Sequence, residues 1–416
     1  MNALIPSITV FCCLLLIFVC IKRLGQNTLF PTEAWILLAG IGYGLLLKNT
    51  DIHWLPDIHL EPHVVLFLFL PLLIFASGRL IDLNTLKSEA LPISFFAIIG
   101  PLVTSIVIGV PIAWALDIPL LHGLLIGAAA GATDPAAVTN IFNSFKIPRR
   151  LSLILEGESL FDDGTTVVLF ALIMGLLMHD SMFDLTDSLL DFIWTIFVAI
   201  PLGMLLGWLG ARFLLLLGQE QVFFNVSLSL IIAYGSFLIG QQLLNVSGVI
   251  TVLMAAIVFI RTWNGRRRSS DSARKTNNDN HSIKTVEAFW NYITDIVNGL
   301  IFFALGAATG NHNFEDTPSI GVVVAVIALF AARFVIVYGG SGILRLAKQR
   351  FPIAWQHILF LGGLRGNISA LLILLIPHDY PYRGYFLCLA FAMIAFSLIV
   401  QPALVKVYLN RAKLSE

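Results

Sequence analysis

Apolar stretches of membrane-crossing length recur along the whole chain, separated by short polar connections. A helix needs about 20 apolar residues to cross the hydrocarbon core of a bilayer. Thirteen segments come close to that length or exceed it: 3–21, 33–47, 63–77, 91–115, 119–143, 151–178, 189–211, 222–241, 246–260, 285–310, 318–344, 354–376 and 384–405. The pattern predicts an all-α integral membrane protein with one transmembrane helix for each segment.

The positions of the basic residues fit this number of spans. With thirteen spans, 21 of the 25 Lys and Arg residues fall on one side of the membrane and two on the other, while Arg333 and Arg365 lie inside spans. Cytoplasmic loops carry an excess of positive charge. We therefore expect a multi-pass protein of the cell (inner) membrane, with its N-terminus outside and its C-terminus in the cytoplasm.

The composition indicates one polytopic membrane domain and no soluble domain. Hydrophobic residues make up 58% of the chain and charged residues 12%, whereas soluble domains carry about 25% charged residues. We expect the membrane domain over 1–410, a polar cytoplasmic linker at 261–284, and a short cytoplasmic tail at 411–416. The net charge is zero, so nucleic acid is not an expected partner, and no motif indicates a cofactor.

Four carboxylates lie within residues 156–163 of the otherwise apolar sixth span. An acid inside a bilayer costs roughly 2–3 kcal/mol even on insertion scales. We expect such residues to bind protons, to bind cations or to hold a buried cation in place.

Helical spacing divides these acids between two faces. Glu158 and Asp162 are four residues apart and share one face, while Ser159 and Asp163 share another about a quarter-turn away. The Ser159 face offers the oxygen ligands that hard cations prefer. The Glu158 face offers counter-charges for Arg333, which needs a partner at its depth in the eleventh span.

Two spans carry residues that interrupt helices. Pro135 removes a backbone donor in the fifth span and disfavours helical geometry at Asp134. Gly363 and Gly366 flank Arg365 in the twelfth span, which also indicates a break. Broken helices in corresponding positions of two halves are typical of inverted-repeat secondary transporters, which bind ions there.

In combination these motifs resemble the NhaP/NHE branch of the monovalent cation:proton antiporters. The matching motifs are Ala-Thr-Asp-Pro-Ala-Ala-Val at 132–138, Glu-Gly-Glu-Ser-Leu-Phe-Asp-Asp-Gly-Thr at 156–165 and Gly-Gly-Leu-Arg-Gly at 362–366. The resemblance covers essentially the whole chain. It implies an NhaA/NhaP-like inverted-repeat antiporter fold with two crossed broken helices, spans 5 and 12, and a homodimer.

The resemblance also assigns residues to roles. The positions that match the family's site for the ion and the proton are Thr133, Asp134, Ser159 and Asp163. Glu158 and Arg333 match the family's buried ion pair, and we expect Asp162 in the same cluster. The branch usually has Asn where this chain has Asp162, so an exchange of one or of two protons per Na⁺ stays open.

We expect a secondary antiporter that exchanges Na⁺, and also Li⁺, for H⁺ in sodium and pH homeostasis, and not an enzyme. Asp134 and Asp163 would hold either a proton or a dehydrated Na⁺. The alternative is a K⁺(Na⁺)/H⁺ antiporter. A passive cation channel would use the same acids as a charge ring. An intramembrane aspartyl protease would use both aspartates, but the chain has no Gly-x-Gly-Asp segment.

Overall fold

The chain is described by a computed structural model. The residues it describes are 4–25, 28, 30–49, 60–81, 88–134, 147–178, 185–217, 222–270, 277–312 and 318–412. Within these ranges the regular structure is entirely helical.

The helices are numbered in chain order, and two that are separated by a short break share one number. They are α1 (Leu4–Gly25), α2 (Thr32–Asn49), α3 (Pro62–Gly78), α4 (Ala90–Leu116), α5 (Leu120–Ala129), α6 (Arg149–Met178), α7 (Leu185–Leu217), α8 (Val222–Leu243), α9 (Gly248–Ser270), α10 (Asn277–Asn311), α11 (Ser319–Leu346), α12a (Ile353–Gly362), α12b (Asn367–Leu374) and α13 (Arg383–Ala412). Each of the thirteen apolar segments overlaps one of them.

The membrane class follows from the length and composition of these helices. In the described ranges, eight helical segments are long and apolar enough to cross a membrane, and three shorter apolar helices accompany them. The prediction of an all-α membrane protein is confirmed. The exact number of crossings stays a prediction.

The segment expected to be a polar linker is helical on both sides of its centre. α9 continues to Ser270 and α10 begins at Asn277, while 271–276 lie outside the described residues. No proline occurs between 261 and 284. Arg, Lys and Ser are tolerated within helices, so polarity by itself does not end one.

By internal contacts the chain divides into two compact units. The second unit comprises 63–90 and 167–297. Within it the indole of Trp290 lies 4.7 Å from the ring of Phe75, and its Nε1 donates a hydrogen bond to Ser229 Oγ at 3.1 Å. A buried Trp needs such a partner for its N–H.

The first unit comprises 1–62, 91–166 and 298–416 and contains every predicted site residue. One of its hydrophobic clusters joins α4, α6, α11, α12a and α13. The buried members include Phe96, Ile154, Ile336, Leu359 and Val405. This packing fixes the helices that carry the charged residues described below.

Candidate ion-binding site

The fifth span is interrupted where the sequence predicts. α5 ends at Ala129, and the N–H of Gly131 donates to the carbonyl of Ala128 at 2.8 Å. Residues 132–134 then continue without helical structure. Pro135 lies outside the described residues, so the half-helix expected after it stays a prediction.

The twelfth span is also broken. α12a ends at Gly362, and the N–H of Leu364 donates to the carbonyl of Gly362 at 3.0 Å. Gly363 at the centre has φ −80° and ψ 70°, which is an inverse γ-turn. Gly366 is extended, and α12b begins at the next residue. The predicted interruption around Arg365 is therefore present.

The two interruptions lie against each other. The N–H of Asp134 donates to the carbonyl of Leu364 at 2.8 Å. The buried Arg365 guanidinium donates from Nη1 to the carbonyls of Gly131, at 2.9 Å, and Ala132, at 3.2 Å. The positive charge therefore lies at carbonyls just beyond the C-terminal end of α5, where the helix dipole is negative. Whether the two broken helices cross stays a prediction.

Side chains of α6 form hydrogen bonds with Thr133 in the first interruption. Ser159 Oγ donates to the carbonyl of Thr133. Thr133 in turn donates to Asp162, from Oγ1 at 2.7 Å and from its backbone N–H at 3.4 Å. Asp162 also interacts electrostatically with Glu158, so its place in the cluster around Arg333 stays a prediction.

Asp163 is the predicted shared ligand of the proton and the cation. Its side chain is 8% exposed, and it interacts electrostatically with both Asp162 and Asp134. Within the described part of the chain its carboxylate forms no hydrogen bond. Two acids from different helices thus face each other where unwound backbone is close by, and carboxylate and carbonyl oxygens are the ligands of hard cations.

The predicted partner of Arg333 is Glu158. Both side chains are buried, and the guanidinium binds both carboxylate oxygens, with Nη1 on Oε1 and Nη2 on Oε2 at 3.3 Å. Nε donates to the carbonyl of Leu359 on α12a at 3.0 Å. A methyl group at Gly363 would lie 2.7 Å from Arg333 Cζ. The pair therefore joins α6 to α11 and lies directly beside the second interruption.

Gly366 lies directly against the Asp134 side chain. A methyl group in its place would be 2.7 Å from Asp134 Oδ2 and closer still to Asp134 Cβ. The side chain cannot withdraw its Cβ without a shift of the backbone. This contact explains why a residue without a Cβ stands at this position.

Several polar residues at the interruptions were not predicted. Ser369 Oγ donates to the carbonyl of Ala132 at 3.2 Å, and the N–H of Arg365 donates to Ser397 Oγ at 3.0 Å. Asn367 Nδ2 donates to Asn298 Oδ1 at 2.7 Å, and Asn367 Oδ1 accepts from the N–H of Ile368 at the start of α12b. The sequence carried a signal for Ser369, which follows Arg365 by one helical turn.

Fold and site together define a class of protein. A buried acid and a half-buried acid interact where two interrupted helices of a polytopic membrane protein meet. Secondary transporters bind their ions at such places.

The chain belongs to the sodium/hydrogen exchanger family, whose transmembrane model matches residues 8–411. Among its relatives are the Na⁺/H⁺ antiporter ApNhaP of Aphanothece halophytica, 30% identical over 88% of this chain and 67% of that protein, and NhaH of Halobacillus aidingensis, 28% identical over 97% of each. The match with NhaG of Bacillus atrophaeus covers 63% of that protein. The resemblance inferred from the motifs is confirmed.

Solved structures support the fold separately. The chain is similar to the sodium proton antiporter MjNhaP1 of Methanocaldococcus jannaschii at pH 8, with a TM-score of 0.77, 20% identity and 99% of both chains covered. A second structure of MjNhaP1, from electron microscopy, gives a TM-score of 0.72 at 19% identity. At this identity the comparison establishes the antiporter fold.

Proposed function

We propose that this chain is a secondary antiporter that exchanges Na⁺, and also Li⁺, for H⁺. One observation carries the proposal: the buried Asp163 and the half-buried Asp134 interact electrostatically where the interruptions of the fifth and twelfth spans meet. Relatives in the same family are named Na⁺/H⁺ antiporters. Two carboxylates of like charge that lie this close favour a ligand that reduces their repulsion, either a proton or a cation.

Exchange follows from competition for these two acids. A dehydrated Na⁺ needs several oxygen ligands at once, and Asp134, Asp163, the Ser159 hydroxyl and the carbonyls of the Thr133 segment supply them. A proton on Asp163 removes the negative charge that holds Na⁺. Either ligand cancels one negative charge of the site and permits it to change sides, whereas a site without a ligand keeps both charges and stays where it is. One ion then moves in exchange for the other.

Glu158, Arg333 and Arg365 do not take part in this competition. Glu158 and Arg333 neutralise each other, and Arg365 is held by carbonyls of the fifth span. Asp162 accepts a hydrogen bond from Thr133 and interacts electrostatically with Asp163, so an exchange of one or of two protons per Na⁺ stays open. Asp134 and Asp163 act on the transported Na⁺ as its carboxylate ligands.

The test is exchange by the purified protein in proteoliposomes, with Na⁺, Li⁺ and K⁺ compared under an imposed pH gradient. The proposal expects Na⁺ and Li⁺ to drive proton movement. Proton movement with K⁺ alone would favour a K⁺(Na⁺)/H⁺ antiporter. Collapse of a cation gradient without proton movement would identify a channel and overturn the proposal.

The site assignment has its own test. We expect Asp163→Asn to abolish exchange, because Asn cannot release a proton, and Asp134→Asn to be nearly as severe. Glu156→Gln is the matched control, since Glu156 lies on the same helix and is exposed. Retention of more than about a tenth of wild-type exchange by Asp163→Asn, which corresponds to ~1.4 kcal/mol in the barrier, would refute the assignment.

We also propose a homodimer in the cell (inner) membrane, with the N-terminus outside and the C-terminus in the cytoplasm. The asymmetry of Lys and Arg residues supports the orientation, and the family resemblance supports the dimer. Cysteine labelling from each side of the membrane would test the orientation. Light scattering of the detergent-solubilised protein would test the dimer.

A further inference from the structure

Two short helices of the first unit share the same design. α5 and α12a are each 10 residues long, and each begins after a proline, Pro119 or Pro352, in extended conformation. Each ends at one of the two interruptions that meet at the candidate site. Near its first turn each carries a histidine.

The histidine of α5 is held between two tyrosines. His122 Nδ1 is hydrogen-bonded to the hydroxyl of Tyr380, and the two rings lie 5.6 Å apart at 54°. The ring of Tyr382 meets the imidazole edge-on at 4.8 Å and 72°. Both tyrosines belong to the connection between α12b and α13, so this contact ties the start of α5 to the chain beyond the other interrupted span.

The histidine of α12a has the same surroundings. His357 Nδ1 is hydrogen-bonded to the hydroxyl of Tyr338 on α11, with the rings 5.9 Å apart at 60°. Tyr408 on α13 meets the imidazole edge-on at 5.5 Å and 79°. In each case one tyrosine bonds the Nδ1 atom and a second packs against the ring. The arrangement therefore occurs twice, once on each broken span.

We propose that His122 and His357, each with its hydrogen-bonded tyrosine, are positioning residues for the transported cation. This inference rests on the proposed function. The His122–Tyr380 contact anchors the first turn of α5, and the His357–Tyr338 contact anchors the middle of α12a. No residue of either contact touches the cation.

The physical reason is the rigidity of a short helix. A helix of 10 residues is about 15 Å long at 1.5 Å per residue, so it transmits a shift at its anchored residue to the end that is nearest the site. The chain that follows α5 supplies the Ala132 and Thr133 carbonyls, and the chain that follows α12a supplies the Leu364 carbonyl that binds Asp134. A loosened anchor therefore displaces backbone oxygens at the site and weakens cation binding.

Tyrosine-to-phenylalanine variants test this without opening a cavity. Tyr380→Phe and Tyr338→Phe each remove the hydroxyl that bonds a histidine. Their matched controls are Tyr382→Phe and Tyr408→Phe, which keep the edge-on ring and remove a hydroxyl that makes no hydrogen bond to the histidine. Loss of one neutral hydrogen bond predicts a roughly three- to tenfold rise in KM for Na⁺ at an unchanged maximal rate, and the controls should keep the wild-type KM.

A rescue experiment separates positioning from general destabilisation. His122→Asn places an amide group at the position of Nδ1, and this group can accept from the tyrosine hydroxyl through its oxygen or donate to it through its nitrogen. We therefore expect it to keep a KM near that of the wild type. His122→Ala should raise KM as Tyr380→Phe does. An equal KM for the test variants and their controls would overturn the inference. So would a lower thermal stability with an unchanged KM, because that result assigns the contacts a structural role only.

Measurement of the wild-type protein in the same proteoliposomes distinguishes failure of the proposed function from failure of this inference. Absence of Na⁺/H⁺ exchange by the wild type would refute the proposed function. Exchange by the wild type with no response to the tyrosine variants would refute this inference alone. The dependence of the melting temperature on Na⁺ concentration gives a second measure of affinity, because a ligand bound to the folded state raises it. The inference expects Tyr380→Phe to need more Na⁺ than Tyr382→Phe for the same rise.

Discussion

The ion pair between Glu158 and Arg333 allows the most quantitative prediction. Both side chains are nearly inaccessible, at 2% and 3% exposure. Glu158→Gln keeps the size of the side chain and removes its charge. The Arg333 guanidinium is then left buried with neutral acceptors only, the amide oxygen of the new Gln and the Leu359 carbonyl, which is 3.0 Å from Nε. Arg333→Ala leaves the Glu158 carboxylate without its partner in the same way.

The magnitude follows from the geometry. At the 3.3 Å separation of Nη2 and Oε2, an effective dielectric constant of about 20 gives a Coulomb attraction of roughly 5 kcal/mol. Breaking a buried pair by removing one partner costs about 3–5 kcal/mol in proteins. In large domains the melting temperature falls by about 2 °C for each kcal/mol of lost stability. Each single variant should therefore lower the melting temperature by roughly 6–10 °C.

The assay is thermal unfolding in detergent at one fixed heating rate, because irreversible unfolding makes the apparent midpoint depend on that rate. The double variant Glu158→Gln/Arg333→Ala should lose less stability than the sum of the two single variants, since it leaves no unpaired charge. Glu156→Gln should change little. If the effects of the two single variants add to within about 0.5 kcal/mol, the pair does not contribute as described and the reasoning is refuted.

Two further variants probe the interruptions. Gly366→Ala should reduce exchange severely, because its methyl group would displace the Asp134 side chain. The control is Gly342→Ala, since nothing lies within 4 Å of a methyl group there. Equal exchange by the two variants would contradict the contact between Gly366 and Asp134. Asp162→Asn should lower thermal stability, since one of the two oxygens that accept from Thr133 becomes a donor. Thr133→Val in the Asp162→Asn background should then add little, and a full additional loss would show that the two residues do not interact.

Much of this architecture could be predicted because the bilayer makes departures from apolar composition costly. A charge such as Arg333 inside a span needs a partner. Helical spacing offers Glu158 and Asp162 as its counter-charges, and the family resemblance selects Glu158. Pro135 and the glycines around Arg365 marked the two interruptions for a similar reason. A helix in lipid must satisfy its backbone groups, so breaks are confined to places where other protein groups take over.

The partner of Asp162 could not be predicted in the same way. At about 100° per residue, Asp162 lies roughly 40° from Glu158 and roughly 60° from Ser159 around α6. The helix therefore turns it about equally toward the ion pair and toward the ion-binding face. The Thr133 peptide decides between them, and its position depends on where the fifth span breaks and on which backbone groups then face α6.

The acidic residues alone do not specify the arrangement of oxygens around the ion. Ser159 donates to the carbonyl of Thr133, and Arg365 donates to the carbonyls of Gly131 and Ala132. The oxygens around the two acids are thus largely backbone oxygens, whose directions are fixed by the interruptions. Two chains with identical acids but differently anchored half-helices would present different oxygen cages. Preference among Na⁺, Li⁺ and K⁺ should therefore respond to residues that hold the half-helices, far from the acids that carry the charge.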